Sequence, residues 1–160
     1  MKIQFLFLLV VLNYCLVNAQ TINIPIITSD GVNPYSDTLR IGLDLTATDC
    51  IDSLLGEPTI SPPTPPPGVF LSTFQLPSFC VPFINTKLDF RNAPAFPFTG
   101  QKEHRMLWQL GFGSSSFTIF YNFPVGIAGN IKDIFGGTIF YQNLQDSGSY
   151  SIASPFTSAL

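Results

Sequence analysis

A proline-rich run between residues 58 and 68 constrains the fold of this chain more than any other stretch. Pro58 is followed by five further prolines before Gly68, in the segment PTISPPTPPPG. Because proline has no backbone N–H and a fixed φ, the run can form neither a helix interior nor a paired central strand. The sequence therefore predicts a stiff, extended crossover between two sheets, with Gly68 freeing the backbone to enter the next strand.

The chain around this crossover has the pattern of short strands separated by turns. Residues 38–45, for example, place Leu39, Ile41 and Leu43 on one face and polar side chains on the other. Further strands are predicted over residues 69–76, 86–91, 103–110, 117–123, 128–135, 138–143 and 149–153, with a tight hairpin turn at Gly136-Gly137. Residues 103–110 are partly apolar on both faces and are predicted to form a central strand.

This pattern predicts an all-β fold, namely an Ig-like antiparallel β-sandwich of about seven to nine strands over residues 38–160. Residues 20–37 are polar and rich in turn signals, and we interpret them as a lead-in to the domain. The predicted core is apolar and aromatic; it comprises Leu39, Ile41, Leu43, Phe70, Phe74, Leu76, Met106, Trp108, Phe117, Ile119, Tyr121, Ile131, Ile139 and Tyr141.

Residues 1–19 have the composition of a secretory signal peptide. Lys2 supplies the positive charge, residues 3–12 form the apolar centre, and Val17-Asn18-Ala19 is a small-residue cleavage site. The apolar run is shorter than the ~20 residues that a membrane span needs. We therefore expect a secreted or cell-surface protein with no stable membrane span after cleavage.

The charge of the chain argues against a nucleic-acid partner. Removing the leader takes away one of seven basic residues and leaves six against ten acidic residues, a net charge of −4. Nucleic-acid-binding domains carry basic patches, and this sequence has none.

Two cysteines remain after the leader, which carries Cys15, is removed. Cys50 and Cys80 can pair in an oxidising compartment, or they can remain two separate buried thiols. A bridge would close a loop of about 30 residues and stabilise the fold by roughly 3 kcal/mol on the loop-entropy model.

Four acidic residues precede or begin the proline run: Asp44, Asp49, Asp52 and Glu57. Carboxylate oxygens are the ligands that calcium prefers, so these residues are candidate calcium ligands, and calcium is the one cofactor that the sequence suggests. Their spacing differs from that of an EF-hand loop. The alternative is a turn in which the carboxylates accept hydrogen bonds from backbone N–H groups.

The residues that could support catalysis are few. His104 is the only histidine, and no serine lies in a G-x-S-x-G turn, which argues against a serine-hydrolase triad. Glu103 with Asp89 or Asp133 offers a carboxylate pair of the glycosidase type, but any chain with ten acidic residues offers such pairs. We therefore predict that the protein is not an enzyme.

Three aromatic residues are candidate platforms for a sugar: Trp108, Tyr121 and Tyr141. Their rings can stack on the apolar faces of sugars. The alternative is that they belong to the core, and for Trp108 a buried position is common in sandwiches.

Three blocks of the sequence carry a resemblance to a known kind of module. They are GLDLTATDCIDSLLGE with the prolines after it at residues 42–67, LDFRNAPAFPFTGQKEHRMLWQ at 88–109, and FTIFYNFPVGIAGNIKDIFGG at 117–137, which leads to GSYSI at 148–152. Together they resemble an uncharacterised β-sandwich module of large secreted bacterial proteins, of the kind that end in a type IX secretion sorting domain.

The resemblance implies a non-enzymatic structural or adhesive module of a secreted or cell-surface bacterial protein. The alternative function is a carbohydrate-binding module that presents aromatic side chains. The expected partners are accordingly other cell-surface or extracellular proteins, or a polysaccharide.

The end of the sequence raises one further expectation. No closing strand and no sorting domain are evident before Leu160. This is expected of a domain truncated at its C-terminus or of a short stand-alone relative. A missing last strand would leave an open sheet edge that accepts a strand from another chain.

Overall fold

The computed structural model describes residues 21–32, 36–60, 65–80, 84–94 and 98–153. The signal-peptide prediction for residues 1–19 and the predicted truncation at Leu160 concern residues outside these ranges. Part of the proline-rich crossover, residues 61–64, also lies outside them.

The described residues form ten strands. They are β1 (Ile22–Ser29), β2 (Ser36–Asp44), β3 (Leu71–Gln75), β4 (Asn85–Thr86), β5 (Leu88–Asn92), β6 (Arg105–Gln109), β7 (Ser116–Asn122), β8 (Ala128–Lys132), β9 (Tyr141–Gln145) and β10 (Ser147–Ala153). Within the described ranges the only helical element is a 3-10 turn over Ser53–Leu55, and no helix is long and apolar enough to cross a membrane. The all-β prediction is confirmed, although the strand count exceeds the predicted seven to nine.

The strands form a five-stranded sheet in the order β10-β7-β1-β2-β5, a three-stranded sheet β4-β3-β6 and a two-stranded sheet β8-β9. The two larger sheets face each other. Phe74 of β3 and Phe70, which directly precedes β3, lie in one buried cluster with Leu39 and Phe117 of the five-stranded sheet. All strand pairs are antiparallel except β2 and β5, which run parallel, so the predicted purely antiparallel arrangement is wrong at this one edge.

The segment interpreted as a lead-in contains β1, which lies at the centre of the five-stranded sheet between β2 and β7. Ile24 and Ile26 are buried on its inner face, as strand alternation requires. Pro25 conceals this pattern, because proline is unusual in a central strand. The structure accommodates Pro25 because β7 pairs only with residues from Ile26 onwards, so no pairing with β7 is lost at Pro25.

Most of the predicted core is confirmed. The buried members are Leu39, Phe70, Phe74, Leu76, Phe117 and Ile119, and the partly buried ones that contact them are Ile41, Met106, Trp108, Tyr121 and Ile131. Leu43 is half-buried. Ile139 and Tyr141 are exposed, so their assignment to the core is wrong. The prediction missed the buried Ile24, Ile26, Phe123, Leu144 and Ile152.

The strand predicted as central, β6, lies at an edge of the three-stranded sheet and pairs only with β3 among the described strands. Its apolar character has another cause. Met106 and Trp108 contact the core between the sheets, while Leu107 on the opposite face is half-buried. Partial burial of both faces therefore does not require a neighbour on both edges.

Candidate functional site

A buried charged cluster lies between the two larger sheets, on the inner face of β5. Asp89 is fully buried, and its Oδ2 accepts a hydrogen bond from Arg91 Nη2 at 2.7 Å and lies 2.8 Å from His104 Nδ1. Arg91, also buried, donates through Nη1 to the backbone oxygen of Asp49 at 2.7 Å. The parallel register places Asp89 beside Ile41 and so turns its side chain inward.

This cluster includes an Asp–His pair but offers no nucleophile. In a serine-hydrolase triad a carboxylate orients a histidine that activates a serine. Here no serine hydroxyl of the described residues is hydrogen-bonded to His104, and the His104 ring lies against Phe74 with 5.8 Å between ring centres. Asp89 is likewise bound by Arg91, so it is not placed as a free carboxylate partner for Glu103. The contacts fit internal bracing of the sheet edge.

The four candidate calcium ligands are not brought together. Asp44 accepts hydrogen bonds from Thr21 and Thr46, and Asp52 accepts one from the Thr48 N–H. Among the described residues no group of three His, Cys, Asp or Glu side chains is arranged to hold a metal ion. These contacts do not support a shared calcium site, which stays a prediction for Asp44, Asp49, Asp52 and Glu57. The alternative, carboxylates bound to backbone N–H groups, describes the contacts of all four.

Residues 44–57 carry these four carboxylates, and we call them the acidic segment. This segment instead covers the outer edge of β5. Glu57 Oε1 accepts the N–H of Phe90, and Asp49 Oδ1 accepts the N–H of Asn92 at 2.8 Å. These are alternate residues of β5, whose other edge pairs with β2. An unpaired strand edge exposes N–H and C=O groups to other chains. Here two carboxylates occupy the donors of that edge.

The two capping carboxylates differ in their electrostatics. Burial raises the pKa of Glu57. The backbone N–H groups of Phe90 and Asp52 lower this pKa through their hydrogen bonds, but they offset the effect of burial only in part because the charges of the Asp89 and Asp52 side chains also raise it. Burial also acts to raise the pKa of Asp49, but the Asn92 N–H, Lys102 and Arg91 outweigh it and leave this pKa below its ordinary value. Asp49 is thus held as a carboxylate.

The disulfide left open by the sequence is present in the structure. Cys50 and Cys80 are bonded, with 5.6 Å between their Cα atoms. The bond ties the acidic segment to the turn that follows β3. It therefore holds Asp49, the residue before Cys50, at its contacts with Asn92 and Arg91.

The three candidate sugar platforms lie in three different sheets: Trp108 in β6, Tyr121 in β7 and Tyr141 in β9. One face of Trp108 is stacked on Phe117, with 4.4 Å between ring centres, and the indole nitrogen is buried. Tyr121 contacts Phe123 and the core. Of the three, only Tyr141 is largely exposed, so the structure does not bring them together as one platform.

The β8–β9 hairpin ends in an exposed apolar loop, which we call the hairpin tip and define as residues 133–140. The last pair of the hairpin is Lys132 with Tyr141, so eight residues connect the strands and the predicted two-residue turn at Gly136-Gly137 is wrong. Both glycines have positive φ, which fits their place within this longer loop.

Asp133 holds the hairpin tip in one conformation. Its carboxylate accepts the N–H groups of Phe135, Ile139 and Phe140 at 2.7, 2.8 and 3.0 Å. Burial acts to raise the pKa of Asp133, but these hydrogen bonds outweigh it and lower the pKa below its ordinary value. The hydrogen bonds between the Asp133 carboxylate and the backbone thus hold the loop, while Ile134, Phe135 and Ile139 remain exposed.

The side chains presented by the hairpin tip are apolar. Ile134, Phe135 and Ile139 are 58%, 59% and 42% exposed. Sequence reasoning missed them because residues 128–135 and 138–143 read as strands that would bury them. The signal that could have found them is the presence of large apolar residues on both sides of a Gly-Gly turn.

Comparison with known proteins adds no assignment: no family model matches the chain, and no curated protein or solved structure matches it significantly. The proposed function therefore rests on the geometry of the described residues.

We expect Glu57→Ala to lower the free energy of unfolding by about 1–3 kcal/mol, because the buried N–H of Phe90 loses its acceptor. Urea denaturation near neutral pH measures the change. Glu57→Gln is the matched variant: its amide oxygen can still accept one N–H, so its loss should be smaller. Equal losses in the two variants would contradict the capping role.

The same residue predicts a dependence on pH. Because the pKa of Glu57 is raised in the fold, protonation of its carboxyl adds a stabilisation that is fully present below the ordinary value of 4.5 and is lost as pH rises through the higher folded value. The hydrogen bonds that the carboxylate accepts are a separate contribution, and they remain near neutral pH. The Gln variant lacks this loss. The difference in unfolding free energy should therefore shift in favour of Glu57→Gln as pH rises, and a difference that stays constant through this window would refute the assignment.

Proposed function

We propose that this chain is a non-enzymatic structural or adhesive module of a secreted or cell-surface bacterial protein, of the β-sandwich kind associated with type IX secretion. We further propose that the hairpin tip contacts other cell-surface or extracellular proteins. The observation that carries the proposal is an ordered loop that presents Ile134, Phe135 and Ile139 to solvent.

The order of the hairpin tip favours binding because it reduces the entropy lost when a loop is immobilised in a complex. Exposed aromatic and aliphatic residues on a fixed loop are typical anchors of protein interfaces. The three hydrogen bonds to Asp133 fix the loop without burying these anchors.

Two further features support a structural module outside the cytosol. The Cys50–Cys80 disulfide is the kind of crosslink that persists in oxidising compartments. The buried Asp89 contacts both the buried Arg91 and the partly buried His104, and these contacts brace β5 against the rest of the fold. These contacts give the charged residues a role in holding the fold together, which supports a structural module.

Binding of the fluorescently labelled chain to intact cells of the producing bacterium tests the adhesive role. We expect Ile134→Ser with Phe135→Ser to reduce binding at least about tenfold, because interface anchors commonly contribute more than 1 kcal/mol each. Leu54→Ser with Val125→Ser is the matched control, since it removes two apolar side chains that are even more exposed and lie outside the hairpin tip.

The control variant should bind as the unmodified chain does. Absence of binding by the unmodified chain, or equal binding by both double variants, would overturn the role of the hairpin tip. Circular dichroism and the unfolding midpoint of each variant show that the fold is retained, which is expected for substitutions at exposed positions.

A carbohydrate-binding module is the second candidate, and one observation favours it. The outer face of the β8–β9 hairpin places the exposed Tyr141 on the same side as the paired Asn130 and Asn143. A ring beside amide groups can combine stacking with hydrogen bonds to sugar hydroxyls. Depletion of the chain by insoluble cellulose or chitin, lost in Tyr141→Ala but kept in the Ile134→Ser and Phe135→Ser variant, would favour this candidate over the first.

A further inference from the structure

The five-stranded sheet ends in two edge strands, β5 and β10, which differ in how their edges are covered. The edge of β5 is occupied by the carboxylates of Glu57 and Asp49, as described above. Among the described residues, no strand pairs with the edge of β10 that faces away from β7. Within the part of the chain that the structure describes, the sheet is thus protected at one end and has an unpaired strand edge at the other.

The sequence of β10, SGSYSIA, has none of the features that protect an edge strand. Charged side chains, proline and β-bulges are the usual devices. The strand carries no charge and no proline, and its pairing with β7 runs over seven consecutive residues without a bulge, from Ser147 with Asn122 to Ala153 with Ser116. Its exposed face consists of small residues: Ser147, Ser149, Ser151 and Ala153.

We propose that β10 pairs antiparallel with β10 of a second copy of this chain, about a two-fold axis at Tyr150, to form a continuous ten-stranded sheet. This register places Ser149 opposite Ser151, Gly148 opposite Ile152 and Tyr150 opposite its own counterpart. A two-fold interface must be complementary to itself. Here serine faces serine, Gly148 faces Ile152, Tyr150 faces its own counterpart, and no like charges meet.

A second copy is favoured over an unrelated strand because the complementarity lies within β10 itself. Pairing on this register uses all seven residues of β10 and adds their backbone hydrogen bonds without moving the core. A contact along one strand is smaller than a standard protein interface, so we expect a weak dimer with a dissociation constant of about 1–100 µM.

This dimer does not depend on the hairpin tip being adhesive, and it would extend that role. Two copies joined at β10 would display two hairpin tips on one particle. Bivalent binding increases avidity when both sites can be engaged at once. The proposal stands or falls on self-association, which is measured without any other partner.

Sedimentation equilibrium of the full chain, produced in an oxidising compartment, tests the dimer over ~1–500 µM. We expect Ser149→Lys with Ser151→Lys to raise the dissociation constant at least about tenfold, because lysines then lie directly opposite each other in both halves of the interface. Asn143→Lys with Gln145→Lys is the matched control: it adds two lysines at the same spacing on the exposed face of β9.

The control should dimerise as the unmodified chain does. A monomeric unmodified chain across this range, or a control that dissociates as readily as the β10 variant, would overturn the proposal. Ser151 also contributes a hydrogen bond to Thr118, at 2.8 Å, so the fold of the lysine variant is checked by its unfolding midpoint.

Cysteine crosslinking tests the register and does not depend on the lysine variant. Opposed Cα atoms must lie within about 7 Å for a disulfide to form. A mixture of Ser149→Cys and Ser151→Cys chains should therefore give a covalent dimer on mild oxidation, whereas each chain alone should not. Crosslinking by either chain alone to the same extent as by the mixture, or by none of the three samples, would contradict this arrangement.

Discussion

Asp89→Ala is expected to lower the free energy of unfolding by about 3–5 kcal/mol, because it leaves the buried Arg91 guanidinium without its charge partner. Asp89 is fully buried and bonded to Arg91 and His104, so water cannot readily replace its carboxylate. A loss of this size approaches the whole stability of many domains. Urea denaturation followed by far-UV circular dichroism measures it.

A paired replacement separates the cost of an unpaired charge from the loss of the cluster. In Asp89→Leu with Arg91→Met, both buried charges are removed, and apolar groups of similar volume often restore the stability. We expect this double variant to be clearly more stable than Asp89→Ala. Arg40→Met removes an exposed charge and should change the stability by no more than about 0.5 kcal/mol. A double variant as unstable as Asp89→Ala would contradict the bracing role of the ion pair.

Replacing both Cys50 and Cys80 with serine is expected to cost about 2–5 kcal/mol. The bond closes a segment of 30 residues that includes Asp52, Glu57 and the proline-rich crossover, and Asp49 lies directly before it. Without it, the unfolded chain gains conformational freedom, and the acidic segment is no longer tied to the turn after β3. Thermal and urea unfolding of the double variant measure the loss.

Hydrogen exchange shows whether that loss reaches the edge of β5. The N–H groups of Phe90 and Asn92 are bonded to Glu57 and Asp49, so release of the acidic segment should speed their exchange before that of the β1–β2 pairs. Reduction of the unmodified chain is the matched control and should reproduce the double-serine result. Unchanged stability and exchange in both samples would show that the disulfide does not hold this edge.

Strands in which apolar and polar residues alternate could be predicted from the sequence. The alternation at residues 38–45 and 117–123 led to β2 and β7, because a half-buried strand imposes a period of two. Pro25 concealed β1 by the same logic, since the sequence does not show that β7 begins to pair only at Ile26. The parallel pairing of β5 with β2 also lies beyond local patterns.

The candidate site was harder to predict than the fold because its contacts join distant residues. A cluster of acids suggests a cation, but Glu57 and Asp49 find their donors on a strand 33 and 43 residues further along the chain. The hairpin tip was missed for a related reason. Asp133 turns a segment with strand-like composition into a loop, and only the arrangement of its hydrogen bonds reveals this.

Site-specific photocrosslinking at the hairpin tip tests the central claim most directly. A benzophenone amino acid placed at Phe135, and in a control at Leu54, which is even more exposed, is irradiated while the chain is bound to intact cells of the producing bacterium. If the hairpin tip is adhesive, we expect covalent protein adducts from position 135 and none from position 54. Adducts from position 54 alone, or none from either position, would contradict an adhesive role for the hairpin tip.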